Sequence, residues 1–333
     1  MHGTNKFLIL ILLFWPLWPP ASITAEPLKS HNLHPLYTSF AQFEPRSAAL
    51  QKPDSARLYL IQSYGNNFFL DTEAGGNPEI TAELDSEAAY TTLGVRYGFG
   101  NRIDASATLH LATHFPGVLD GFLQWYHGLF GFPNADRELR PDYGLRFYLE
   151  NADRVILNEE APLCAISALQ IEPRIRLFQD EGIPLALSAG SLIKIPINLA
   201  SHDLLSGGFD VALRLYADYA VSRFSFNASV GAAYLSTPDI LLESEFMNLV
   251  LPFSLTIEWQ MQPAIAFVGT INGSTSPYQT GYVRADKFSS TFSFGSRFDL
   301  SPDSSLEVSM SQEFLTFAAT DVALNIALSQ HIE

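Results

Sequence analysis

One stretch limits what this chain can fold into more than any other: Arg102 to Phe115, RIDASATLHLATHF. From Ile103 every second residue is apolar, through Ala105, Ala107, Leu109 and Leu111, with Phe115 at the far end. Between them stand Asp104, Ser106, Thr108, His110, Ala112 and His114. A period of two marks a strand, whose successive side chains point to opposite faces. A strand this long with one greasy and one polar face has two homes. In a soluble sheet the apolar face covers a core and the polar face meets water. In a membrane barrel the apolar face turns outward to lipid and the polar face inward to a wet lumen.

Composition separates the two. Charged residues make up 16% of the chain, well short of the roughly 25% of an average soluble domain. Mean hydropathy is only +0.10, whereas a helical membrane protein needs apolar runs of about 20 residues. No such run follows the N-terminus. Little charge without apolar blocks is what alternating lipid-facing strands produce. The net charge of −16 argues against a nucleic-acid partner, which rewards basic patches. The single cysteine, Cys164, excludes a disulfide framework.

Residues 1–25 read as a signal peptide: Lys6, then an apolar block from Phe7 to Trp18, prolines at 16, 19 and 20, and a cleavage site after Ala25. Residues 26–55, punctuated by Pro27, Pro35, Pro45 and Pro53, are expected to form an irregular periplasmic linker. Residues 56–333 are expected to form the barrel.

Within that region the alternation recurs. Arg57 to Phe69 is the first expected strand, and LGVRYGFG before Gly100-Asn101 ends the second. Further alternating stretches begin near Tyr143, Ala152, Leu169, Leu185, Val211, Phe224, Leu249, Ile265, Phe288, Leu306 and Val322. From Gly117 to Gly131 the period changes. Apolar residues crowd all but a narrow stripe of Asp120, Gln124 and His127, which predicts one inserted amphipathic helix, stopped by Gly131 and Pro133. Charges sit on the polar face of the strands, among them Arg96, Asp104, Arg146, Glu172, Arg174, Lys194, Arg214 and Asp218. A charge on the lipid face costs about 2–4 kcal/mol at mid-depth, and this segregation is what such a cost enforces.

The expected fold is therefore an all-β antiparallel transmembrane β-barrel of about 14 strands. Fourteen counts 152–159 as a strand; twelve, with the first strand outside the ring, is the fallback. A secreted β-sandwich explains the alternation but not strands of 10 to 14 residues, since globular strands average about 5 or 6.

The segment LDGFLQWYHGLFGFPNADR, from Leu119 to Arg137, resembles a bacterial family known as domain of unknown function 3187. The matching positions are Asp120, Phe122, His127, Phe130, Gly131, Pro133 and Arg137. The stretch 185–209 is similar as well, through a Lys–x–Pro … Ser–Gly–x–x–Asp pattern at Lys194, Pro196, Ser206, Gly207 and Asp210. The resemblance implies an exported outer-membrane barrel over about 56–333, and it implies no activity. Outer-membrane barrels usually end in Phe or Trp, and this chain ends in His331-Ile332-Glu333.

Phosphate loops, HExxH, CxxC and G-x-S-x-G are absent from convincing contexts, so no cofactor, metal or catalytic residue is assigned. His110 and His114 share a strand face but lie about 13 Å apart by strand rise, too far for one metal. Ligand or lumen candidates are Asp120, Gln124, His127, Arg137, Lys194, Arg96 and Arg146. The expected function is that of a non-enzymatic outer-membrane channel or small-solute binding protein. Its expected partners are the lipid bilayer, the outer-membrane assembly machinery and a small solute. The alternatives are an outer-membrane lipid- or lipopolysaccharide-modifying enzyme working through His127, and a structural or assembly barrel.

Overall fold

The alternating stretches close on one another. The computed structural model describes residues 26–71, 80–131, 137–151, 154–180, 182–200, 207–238, 241–314 and 319–333; the expected signal peptide lies outside them. Fifteen strands are described in one antiparallel sheet. They are β1 Ala56–Asp71, β2 Ile80–Phe99, β3 Ile103–Phe115, β4 Arg146–Asn151, β5 Arg154–Glu159, β6 Leu163–Asp180, β7 Ile183–Ala200 and β8 Asp210–Val221. The remainder are β9 Phe224–Tyr234, β10 Leu249–Val250, β11 Pro252–Gln262, β12 Ile265–Ser274, β13 Ser289–Ser301, β14 Ser304–Glu313 and β15 Val322–Ile332. Because β1 pairs with both β2 and β15, the sheet is a closed ring.

Twelve of the described strands make the ring: β1, β2, β3, β6 to β9 and β11 to β15. The expected count of 14 is corrected to twelve. The fallback had the number but excluded the wrong strand, since β1 lies in the ring. The strands outside are β10, two residues that pair only with the end of β9, and β4 and β5, a hairpin that extends the sheet from the far end of β2, where Ile80 to Asp85 pair with β4 and no longer with β3. Alternation reports that a segment is a strand, not which neighbour it takes, so this hairpin reads like any other. Closure also removes the β-sandwich alternative.

Sidedness follows the expectation. Leu58, Leu60, Leu93, Leu213, Leu215, Phe226, Leu255, Phe294 and Ile326 are exposed on the outer face. Asp104, Glu172, Arg174, Lys194, Arg214, Asp218, Glu258 and Glu307 are buried inside. Strands β8, β9 and β11 to β15 run 10 to 13 residues, close to the 9–11 that a tilted strand needs to cross about 30 Å of hydrocarbon.

Strand ends define two rims. Connections 100–102, 222–223, 263–264 and 302–303 are short and share one rim with Ala56 and its partner Ile332. Connections such as 116–162, 235–251 and 275–288 occupy the other. The inserted helix spans Asp120–Phe130 at that long-loop rim and ends at Gly131, whose φ of 70° is the left-handed cap that glycine favours. Of its apolar residues Leu123 is buried, while Phe122, Trp125, Leu129 and Phe130 are exposed, so the helix does not fill the lumen.

The segment 26–55 does. Expected as an irregular periplasmic linker, it is irregular in backbone and lies inside the ring. It runs from Glu26 at the short-turn rim to a helical turn, Pro35–Thr38, at the long-loop rim. From there it returns to Pro53, which bridges to Gly98. Leu28, Leu33, Tyr37 and Phe40 are buried along it, and burying such side chains is favourable at roughly 1.5–3 kcal/mol each.

Candidate functional site

The site is the lumen, formed by the inward faces of the strands and the segment threaded through them. An irregular segment buried away from water must find partners for its backbone N–H groups, and strand backbones are already paired with each other. Wall side chains supply the partners. Asp210 at the start of β8 accepts from Ala41 N at 2.8 Å. Gln170 on β6 accepts from Gln42 N at 2.6 Å. Asp218, near the end of β8, accepts from Ala48 N at 2.9 Å, Ala49 N at 3.3 Å and the Ser47 hydroxyl at 2.6 Å. Asp104, at the start of β3, accepts from Gln51 N at 2.8 Å.

Three charged clusters follow the same path. At the short-turn rim Glu26 meets Arg57 at 3.0 Å and Lys29 at 3.2 Å, and its carbonyl accepts from Arg297, which pairs with Glu258 at 2.6 Å. At mid-lumen Arg46 bridges Glu172 at 3.1 Å and Glu44 at 3.4 Å. Nearby, Arg174 grips Asp104 through two bonds of 3.0 and 2.8 Å and also donates to the Ser47 carbonyl at 2.6 Å. Arg96 shares Asp104 at 2.6 Å. Toward the long-loop rim, Lys194 sits 3.4 Å from Asp210 and donates to Gly208 O at 3.0 Å. Above it Tyr37, Phe40, Phe246 and Tyr278 close an aromatic cap over the turn of the segment.

Glycines clear room for the segment at two places. A Cβ on Gly98 would lie 2.1 Å from the Lys52 carbonyl oxygen, and one on Gly207 would lie 2.1 Å from the Ser39 carbonyl oxygen. Gly207 belongs to the pattern on which the family resemblance rests; its neighbour Ser206, like Pro133 of the first motif, lies outside the described residues. Beside the segment, between residues 30–44 and the walls of β12 and β13, lies a cavity of about 60 Å³, room for a few waters at most.

Two sequence candidates, Lys194 and Arg96, thus sit in the lumen. Asp120 and Arg137 are brought together at the long-loop rim, 2.7 Å apart and buried. Arg137 also donates to Asn66 at 2.8 Å and lies 4.3 Å from the centre of the Phe68 ring, while Asp120 accepts from Tyr143 N at 2.6 Å. This pair ties the inserted helix to the end of β1. Gln124 bonds Asp142 at 2.8 Å on the surface, and His127 is half-buried against Tyr126. Arg146 stands outside the lumen on β4, paired at 2.6 Å with the exposed Glu160, a surface ion pair worth about 0–1 kcal/mol.

Sequence reasoning missed the residues the segment itself contributes. His31 and Glu44 are buried in the lumen, and Arg46 beside them is part-buried. His31 Nε2 lies 3.0 Å from Glu44 Oε1. His110 of β3 stands beside them, and one ligand atom from each of the three lies within 4.8 Å of the others. The available signal was composition. Leu28, Leu33, Leu36, Tyr37, Phe40 and Phe43 make this segment too apolar for a solvated linker.

Against known proteins, the family model for "Protein of unknown function (DUF3187)" matches residues 10–332. Among curated proteins none matches the sequence. Of solved structures, the COG4313 outer membrane channel from Pseudomonas putida F1 superposes with a TM-score of 0.55 at 10% identity, covering 85% of this chain and 97% of that one. The NanC porin gives 0.45 at 10% identity, covering 82% and 99%. The translocator domain of the autotransporter NalP from Neisseria meningitidis gives 0.42 at 10%, covering 84% and 89%. At such identity the first similarity shows a shared fold, that of an outer-membrane β-barrel.

Proposed function

The chain belongs to the DUF3187 family, and from that premise we propose that it is an outer-membrane channel for small polar solutes, held shut at rest by its own residues 26–55. In this reading the short-turn rim is periplasmic and the long-loop rim faces outward, as in bacterial barrels generally. The observation that carries the proposal is the pairing of wall carboxylates with the backbone of the segment. Asp104, Asp210 and Asp218 take four of its N–H groups. Once the segment leaves, the same residues, together with Arg96, Arg174, Lys194 and Arg214, line a wet passage of mixed charge, which suits polar rather than apolar cargo. The fold shared with a protein described as an outer membrane channel supports the reading.

Hydrogen bonds to charged groups contribute about 1.5–3 kcal/mol each, and these four act against the entropy lost in ordering the segment. An opening signal, acting from the periplasm on the Glu26 end, is part of the proposal.

Planar bilayers test it. The full chain should be silent apart from rare flickers, and a chain lacking residues 27–51 should conduct steadily. Both should migrate as heat-modifiable bands, which establishes that each barrel has formed. A heat-modifiable deletion variant that stays silent would remove the channel reading.

A further inference from the structure

We propose that His31, Glu44 and His110 form a binding site for a divalent transition metal, with zinc the best fit, that clamps the N-terminal segment to the barrel wall. The three residues come from three pieces of chain: His31 from the outward arm of the segment, Glu44 from its return arm, and His110 from the inward face of β3. All three are buried, at 2, 4 and 1% exposure, so they are not a solvated surface cluster.

The donor set fits the ion. Two imidazoles and a carboxylate with a fourth position open is a zinc arrangement, and hard oxygen-seeking ions are less suited to it. Bonds of about 2.0–2.1 Å in a tetrahedron place ligand atoms roughly 3.4 Å apart. The set, within 4.8 Å, closes on an ion by at most about 1.4 Å of side-chain movement between any two ligand atoms. The Thr92 hydroxyl lies beside the set, 2.9 Å from His110 Nδ1 and 3.5 Å from His31 Nε2, and an ion would take the place of these two contacts.

Surrounding groups hold the rings in place, as the partners of metal-bound histidines do. His110 Nε2 is engaged by the Gln170 amide at 2.7 Å, which leaves Nδ1 toward the cluster. The Tyr90 ring packs at 4.9 Å from His31 and 5.5 Å from His110. Arg46 approaches Glu44 through Oε2, and Oε1 remains on the histidine side.

The site rests on the filled lumen and not on conduction, so the two fail separately. The test is to refold the full chain into detergent micelles with zinc sulfate, dialyse, and count metal by mass spectrometry. One zinc per chain is expected. His31→Gln, Glu44→Gln and His110→Gln should each lower retained zinc at least tenfold while the band stays heat-modifiable. Cobalt(II) put in place of zinc should show the visible absorption of a four- or five-coordinate site, a readout on the unaltered chain that stands if a variant misfolds. No retained zinc and no cobalt spectrum in the unaltered chain, or full retention in all three variants, would overturn the site. Zinc bound in a barrel that never conducts would leave the site standing and remove the channel.

Discussion

At the scale of single residues, the lumen is a set of buried charges that are tolerable only in company. Asp104 is the clearest case. It holds Arg96, Arg174 and the amide of Gln51 at once, and Arg174 is among the most deeply buried large side chains of the chain. Asp104→Asn leaves two guanidinium groups facing a neutral amide, and breaking such a buried pair costs about 3–5 kcal/mol. A urea titration in micelles should show that loss; an unchanged midpoint would mean that water reaches the two arginines. His34 gives a pH dependence. Its Nδ1 accepts from Leu36 N at 3.3 Å and caps the turn of the segment. Burial first, and the nearby His114 second, hold its pKa down at about 3. A depressed histidine contributes stability that is complete above its ordinary value of 6.5 and is lost as pH falls toward 3. Protease resistance of the segment should therefore fall across that window, and less steeply in His34→Asn.

At the scale of elements, the strands were legible in the sequence and their partnerships were not. From Leu93 onward the period of two is clear because one face meets lipid and the other a polar lumen. It fails in the first half of β2, where Ala82, Leu84, Asp85, Ser86, Glu87 and Ala88 are all buried, so both faces are covered and nothing drives alternation. The β4–β5 hairpin has the right period in the wrong place, which made twelve strands look like fourteen. Segment 26–55 has no period at all; its partners are side chains from strands far along the chain. Asp120 and Arg137 were visible as motif residues, and their pairing was not. The outward face carries its own prediction. Leu213, 70% exposed on β8, adjoins the inward Arg214, which donates to Glu44 O at 2.8 Å. Leu213→Arg should cost about 2–4 kcal/mol of folding free energy in lipid vesicles. Equal stability to the parent chain would place that face outside the hydrocarbon.

At the scale of the whole molecule, the chain is a twelve-strand ring, counted over the described residues, whose lumen is packed by the segment that precedes its first strand. Lipid-facing grease holds the ring in place, wall carboxylates hold the segment, and a metal bridge between His31, Glu44 and His110 is proposed to lock the two together. Under the proposed channel function, closure and opening are properties of one short segment and not of the wall. Hydrogen exchange read by mass spectrometry tests this most directly, because buried and hydrogen-bonded amides exchange slowly while those of a solvated linker exchange at once. The amides of Ala41, Gln42, Ala48, Ala49 and Gln51 should be protected to nearly the level of the strands, and Asp218→Ala should release those of residues 48 and 49. Full exchange of residues 26–55 within seconds in the unaltered chain, with the strands still protected, would contradict the account.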